Sequence, residues 1–257
     1  MKTSWVASVA GIVLLLPIIS MAQDIPDVEL AGLRVVGPGY GLNGTELRAF
    51  NQRSGLSLEL IVKAQKDKQI VEVDDSKCSL TVLADDRGHN LLDNVEWGRF
   101  PKVSKDGQLA LVEVTSKSRP SKNASRLRVK GTICLRVAGS NRKEKIENLK
   151  LQVGAKANVN ESTIQVMKVQ KETDGLTLVL QMKRTFMDNL KDIRFYNAKG
   201  KSVDIWGRGS FIFGNASQMH YNLDMKSIPT ALMVEMDLWQ ELENLDISFD
   251  IESGLGL

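Results

Sequence analysis

Two pairs of adjacent carboxylates, Asp74-Asp75 and Asp85-Asp86, are the residues whose type and spacing come nearest to a site of chemistry. Hard cations such as calcium take several oxygen ligands from loops, and paired aspartates supply them. Neither pair sits in a recognised calcium loop, and Asp side chains also shape turns by bonding to nearby backbone. Turn chemistry is therefore the reading adopted, with no metal and no cofactor expected. Histidine is scarce: His89 and His220 are the only two. Nucleophilic catalysis needs a base held beside a Ser or Cys. No nucleophile elbow and no His/Cys cluster with zinc spacing is present. No catalytic residues are expected, and the chain is read as a non-enzyme.

Cys78 and Cys134 are the only cysteines, 56 positions apart. A disulfide between them is chemically allowed outside the cytosol, and would contribute on the order of 4 kcal/mol in the chain-entropy account. Alternation argues against a simple core bridge. Cys78 shares a phase with Leu80 and Val82, whereas Cys134 shares one with Arg128, Lys130 and Arg136. Gly131 is a candidate bulge that resets this phase. Trp97 and Trp206 open matching Trp-Gly-Arg stretches. An exposed tryptophan can stack on a sugar or peptide. The favoured alternative is that each plugs the end of a sandwich with the arginine over it.

Charge is unevenly placed in a chain whose formal net charge is only +3. Residues 111–156 hold 12 Lys/Arg against 3 Asp/Glu, and residues 221–257 hold 1 Lys against 8 Asp/Glu. Arg126, Arg128 and Lys130 alternate with apolar neighbours and are expected to form a basic stripe on a solvent-facing sheet. Such a stripe suits a protein or an anionic envelope polymer; it also solubilises a sheet and guards its edges. The expectation carried forward is that it meets the acidic stretch around Glu235, Asp237, Glu241 and Glu243, either between domains or head to tail in weak self-association. Nucleic acid is not expected, because no aromatics interleave the basic residues.

The elements that must position these residues read as strands. Leu56-Ser57-Leu58-Glu59-Leu60, Ile133-Cys134-Leu135-Arg136-Val137 and Leu176-Thr177-Leu178-Val179-Leu180 alternate with period two, as half-buried strands do. Leu149-Lys150-Leu151 and Leu245-Asp246-Ile247 behave likewise. One helical turn is expected near Met187 and Leu190. The chain also repeats itself: residues 55–63 match 175–183, Trp97-Gly98-Arg99 recurs as Trp206-Gly207-Arg208, Pro120 answers to Pro229, and Glu147-Asn148-Leu149 to Glu243-Asn244-Leu245. Four matches in order imply a duplicated domain with a shorter second copy. At the start, a positive n-region, an apolar run over residues 6–19 and Ser20-Met21-Ala22 form the pattern of a cleaved signal peptide. The expected organisation is a signal peptide over 1–22, a first β-sandwich over 24–155, a linker over 156–162 and a second sandwich over 163–257. The fold class is all-β, two tandem immunoglobulin-like β-sandwich domains.

Phe100-Pro101-Lys102, the segment 126–132, the segment 195–201 and the terminal Gly254-Leu255-Gly256-Leu257 resemble a family of uncharacterised exported two-domain β proteins of environmental bacteria. The resemblance spans most of the mature chain and implies export and two domains. It carries no functional residues. The function expected is that of a non-catalytic binding or structural module of the cell envelope or extracellular space, not integral to the membrane once cleaved. The alternative is a periplasmic chaperone-like protein that binds an exported partner through sheet edges; a hydrolase ranks third.

Overall fold

The computed structural model describes residues 27–38, 53–98, 101–160 and 162–255. The expected signal peptide, residues 1–22, lies outside them. The described residues form three antiparallel sheets and one short helix. The first sheet holds β1 (Val28–Val36), β2 (Gly55–Lys63), β5 (Glu96–Trp97), β6 (Lys102–Val103) and β7 (Leu109–Ser116). A second holds β9 (Lys156–Val159), β10 (Ser162–Glu172), β11 (Gly175–Lys183), β14 (Ile205–Phe213) and β15 (Ala216–Leu223). Between them runs the third, with β3 (Gln69–Val73), β4 (Ser79–Asp85), β8 (Arg126–Lys150), β12 (Leu190–Tyr196), β13 (Ser202–Val203) and β16 (Ala231–Gly254).

Alternation builds two cores. Leu56, Leu58, Leu60 and Val62 of β2 point inward with Ala110, Val112 and Val114 of β7, against Leu127, Val129, Ile133, Leu135 and Val137 of β8. In the second core Leu176, Leu178, Leu180 and Met182 of β11 meet Ile193 and Phe195 of β12 and Leu232, Val234 and Met236 of β16. Phe195 and Tyr221 pack edge to face there, with ring centroids 5.1 Å apart. The helix α1 (Arg184–Asp188) closes this core with Phe186. It takes in Met187 of the expected turn but begins earlier and stops short of Leu190, which already belongs to β12.

The third sheet joins the two sandwiches. β8 is 25 residues long and β16 is 24, where strands are commonly about five or six; at about 3.3 Å per residue β8 extends roughly 80 Å. The two pair antiparallel from Arg126↔Gly254 to Lys150↔Ala231. β8 thus enters the first core with Leu127 and leaves through the second with Ile146 and Leu149. β16 does the reverse: Leu232 to Leu238 line the second core, and Ile247 and Phe249, with Leu255 just beyond the strand, line the first. Asn141, Arg142 and Lys143, between the cores, are exposed.

The chain therefore does not divide between its cores at 156–162. Residues 156–159 form β9, an edge strand hydrogen-bonded to β10, because Ala157 and Val159 still have a core to cover. The stretch expected to end the second sandwich completes the first. The strand pairing nonetheless repeats between the halves: β1-β2-β7 recurs as β10-β11-β15. Trp97 and Trp206 lie on β5 and β14, which border β7 and β15 respectively. Glu147-Asn148-Leu149 and Glu243-Asn244-Leu245 fall at different places along β8 and β16, so this fourth match is out of step with the pairing.

Candidate functional site

Within the basic stripe, Arg128 and Lys130 meet a carboxylate of the neighbouring strand. Arg128 donates from Nε and Nη2 to the two oxygens of Asp250, at 2.9 and 2.8 Å. Lys130 lies 3.8 Å from the same carboxylate. The cause is register: β8 carries 8 Lys/Arg and 2 Glu, while β16 carries 7 Asp/Glu and no base. Antiparallel pairing sets Arg128 against Glu252, Lys130 against Asp250, Lys143 against Asp237 and Lys145 against Glu235. The acidic stretch singled out in the sequence meets other bases: Asp237 pairs with Arg194 at 2.9 Å and Glu243 with Lys68 at 3.0 Å. Glu235 accepts a hydrogen bond from Tyr196 at 2.9 Å. Arg126 lies at the far end of the ribbon, opposite Gly254.

The second carboxylate pair acts mainly on backbone. Asp85 is buried and accepts from the N–H groups of Arg87, His89 and Ser121 at 3.0, 2.9 and 2.7 Å. Burial alone would raise its pKa; the bonds donated by Ser121, His89 and Arg87 outweigh it and hold the carboxyl down at about 2. Asp86 binds Ser125 through both the amide and the hydroxyl. Asp74 is paired with Lys77 at 2.6 Å. Among the described residues no group of three or more His, Cys, Asp or Glu is placed to hold a metal ion.

Cys78 and Cys134 are neighbours but unbridged. The backbone N–H of Cys134 donates to Cys78 Sγ at 3.3 Å, and the thiol of Cys134 donates to the Lys77 carbonyl at 3.3 Å. Cys134 does point away from the core side of β8, as its phase requires. It is buried because residues 74–78 fold over it, pinned by Asp74 N–H on the Cys134 carbonyl at 2.9 Å. The bulge lies on β4, between Leu80 and Val82. Gly131 marks its approach: a Cβ there would collide with the Ser79 carbonyl. Burial pushes the Cys134 thiol up to about 12, and Asp246 beside it adds to the rise.

Trp97 is half-buried and packs on the first core, as a plug would; its Arg99 lies outside the described residues. Trp206 is different. It is 60% exposed and lies over Gly175, while Arg208 turns to Asp192 at 3.4 Å. Trp206 is the extra residue of a bulge between Ile205 and Gly207. Phe211, Ile212 and Phe213 follow on the same strand, 64, 50 and 48% exposed. Phe211 rests edge-on against His220, 5.4 Å between centroids.

β14 is the outermost strand of its sheet and pairs only with β15. They are joined by the turn Gly214-Asn215, with Phe213 opposite Ala216. The pair flanking a two-residue turn is hydrogen-bonded, and bonded and non-bonded pairs then alternate. Phe213, Phe211 and Gly209 therefore bond to β15. Ile212, Ser210 and Arg208 turn their N–H and C=O groups outward. Neighbouring β14 is an open cleft of about 1340 Å³ between the sandwiches, lined in part by Arg208, Ile212, Arg136, Lys191 and Trp239. Contacts across the cleft tie the sandwiches together. Arg136 of β8 reaches Asn189 at 3.2 Å, and Lys191 of β12 bonds Gln69 at 3.1 Å while sitting 4.2 Å over the Trp239 ring. No histidine or cysteine lines it.

Of this edge, sequence reasoning singled out only the Trp206-Gly207-Arg208 stretch. The signal that marks the rest is the unalternating run Phe211-Ile212-Phe213 directly before a glycine turn. Among the described residues no helix is long and apolar enough to cross a membrane. No family model matches the chain, and no curated protein matches it. Among solved structures, the C-terminal domain of the Streptococcus agalactiae AgI/II polypeptide BspA is similar at 8% identity and a TM-score of 0.16, over 88% of this chain and 97% of that one.

Proposed function

We propose that this chain is a non-catalytic binding module, exported to the periplasm or the extracellular space, that holds an extended polypeptide strand against β14. One observation carries the reading: β14 offers nine residues of sheet edge with one charge and four apolar side chains about half exposed or more. A strand laid on such an edge gains main-chain hydrogen bonds for affinity and alternate side-chain contacts for specificity. Proteins usually blunt open edges with charges, proline, bulges or short strands, and the other outer strands here carry such devices. β5, β6 and β13 have two residues each, β9 has four, β3 has five with Glu72 among them, β1 carries Glu29 and Arg34, and β4 is bulged between Leu80 and Val82. The two sandwiches are read as immunoglobulin-like units intergrown through β8 and β16.

A second reading makes the bound strand part of an exported subunit held during assembly, as two-domain pilus chaperones do by strand donation. The cleft alongside β14, open between the sandwiches, favours it. Hydrogen exchange tests the docking edge itself. A synthetic peptide of alternating Val and Thr should slow exchange at the outward amides of Arg208, Ser210 and Ile212. Unchanged exchange at saturating peptide would end the proposal.

A further inference from the structure

The inference rests on the β14 docking reading and names the occupant. We propose that the added strand is β14 of a second copy of this chain, paired antiparallel about Ser210 to give a closed two-fold dimer with one continuous sheet. The outward main-chain groups belong to Arg208, Ser210 and Ile212, and only a two-fold axis at Ser210 matches all of them. Ser210 then faces Ser210 of the second copy, and Arg208 faces Ile212.

That register also fits the side chains. On the outer face, where Phe211 meets His220, Phe211 falls opposite Gly209 of the second copy and Phe213 opposite Gly207. An aromatic ring opposite an edge glycine covers backbone that glycine leaves bare. There is room at Gly209, where the nearest atom to a Cβ position is 4.0 Å away, on His220; at Gly207 the Asn222 side chain already covers the face, 2.6 Å from a Cβ position, so there Phe213 meets Asn222 instead of bare backbone. The charges do not conflict. Arg208 is the one charged residue of β14 and is engaged by Asp192 at 3.4 Å. Its opposite number in this register is an isoleucine.

The area is that of a weak, reversible contact. Trp206 folds back over Gly175 and does not face the edge, so with about 150–250 Å² per aromatic side chain the exposed parts of Phe211 and Phe213 come to on the order of 200 Å² per copy. Two copies bring about 400 Å² before Ile212 and the strand backbone are added, below the roughly 1,000 Å² that a strong specific interface clears. The contact is isologous, so it closes at two copies and does not propagate.

Sedimentation velocity on the full chain from about 1 to about 100 µM, the range of weak interfaces of this size, should show a monomer–dimer equilibrium. Ser210→Pro removes an outward N–H without touching the bonds to β15, and should weaken association at least about tenfold. Ser210→Cys supplies a readout that needs no damaged fold. Two hydrogen-bonded residues on the axis have Cα atoms about 5.5 Å apart, within disulfide reach, so mild oxidation should give a covalent dimer. Phe213→Cys should give none. A chain that stays monomeric at about 100 µM, with no Ser210→Cys dimer, overturns the second-copy assignment. If the Val/Thr peptide still protects β14 in that monomer, the docking reading survives; if it does not, both fall.

Discussion

Arg128 grips both carboxylate oxygens of Asp250 from the adjacent strand, at 2.9 and 2.8 Å, with 122 residues of chain between them. The pair is one rung of the β8–β16 ladder, and through it the most basic and most acidic parts of the chain neutralise each other inside one molecule. Raising salt from about 0.1 to 1 M shortens the screening length from about 10 to 3 Å. Small-angle scattering across that range should show an unchanged radius of gyration. Exchanging the charges, Arg128→Asp with Asp250→Arg, should leave the fold intact. A molecule that opens or dissociates with salt would refute this.

The ribbon also predicts where damage at the C-terminus is felt. Phe249 is 7% exposed and packs in the first core, among residues that precede it by more than a hundred positions. Phe249→Ala should cost about 3–5 kcal/mol, and hydrogen exchange should rise first in β2 and β7. For the same reason, cleavage in the hairpin at Asn160 should not release two independent halves. The fragments should co-elute under native conditions, since β8 and β16 hold them in register. Separate elution would mean the sandwiches are independent after all.

Asp85 clamps the β4 turn to residue 121 through three backbone amides. Asp85→Asn replaces an acceptor for charge-assisted bonds and should cost about 2 kcal/mol at neutral pH. The folded carboxyl, at about 2, lies below the ordinary 3.8. Its contribution is therefore fully present above about pH 4 and is lost as the pH falls through about 2. Urea midpoints of parent and variant should differ at pH 6 and converge on acidification. A difference constant with pH would assign the effect to shape rather than charge.

The thiols give a chemical check on the same corner of the molecule. Cys134, raised to about 12 by burial and Asp246, stays protonated in the native protein. Iodoacetamide at mildly alkaline pH should label it far more slowly than Cys78, whose thiol is half-exposed though also raised by burial. In denaturant both should react, and two labels should appear by mass. If no thiol reacts even when unfolded, the neighbours have oxidised to a disulfide.

Alternation by itself determined the two cores: Leu56, Leu58 and Leu60 on β2, and Leu176, Leu178 and Leu180 on β11, point inward as period two requires. It also carried the opposed charge of residues 111–156 and 221–257, which is the chemical record of one strand pair. Where that pair runs was decided by tertiary structure. Leu127 to Val137 and Ile146 to Leu149 read as separate strands, because their phase changes and an exposed polar stretch parts them. Only the partner β16, bridging both cores through backbone hydrogen bonds, makes them one. Trp97 and Trp206 show the same limit: identical Trp-Gly-Arg contexts gave a core plug in one half and an exposed side chain in the other. Periodicity is a local property of side chains. Whether a strand such as β14 lies at the centre of a sheet or at its edge depends on which other segments hydrogen-bond to it, and those partners are set by the packing of the whole chain.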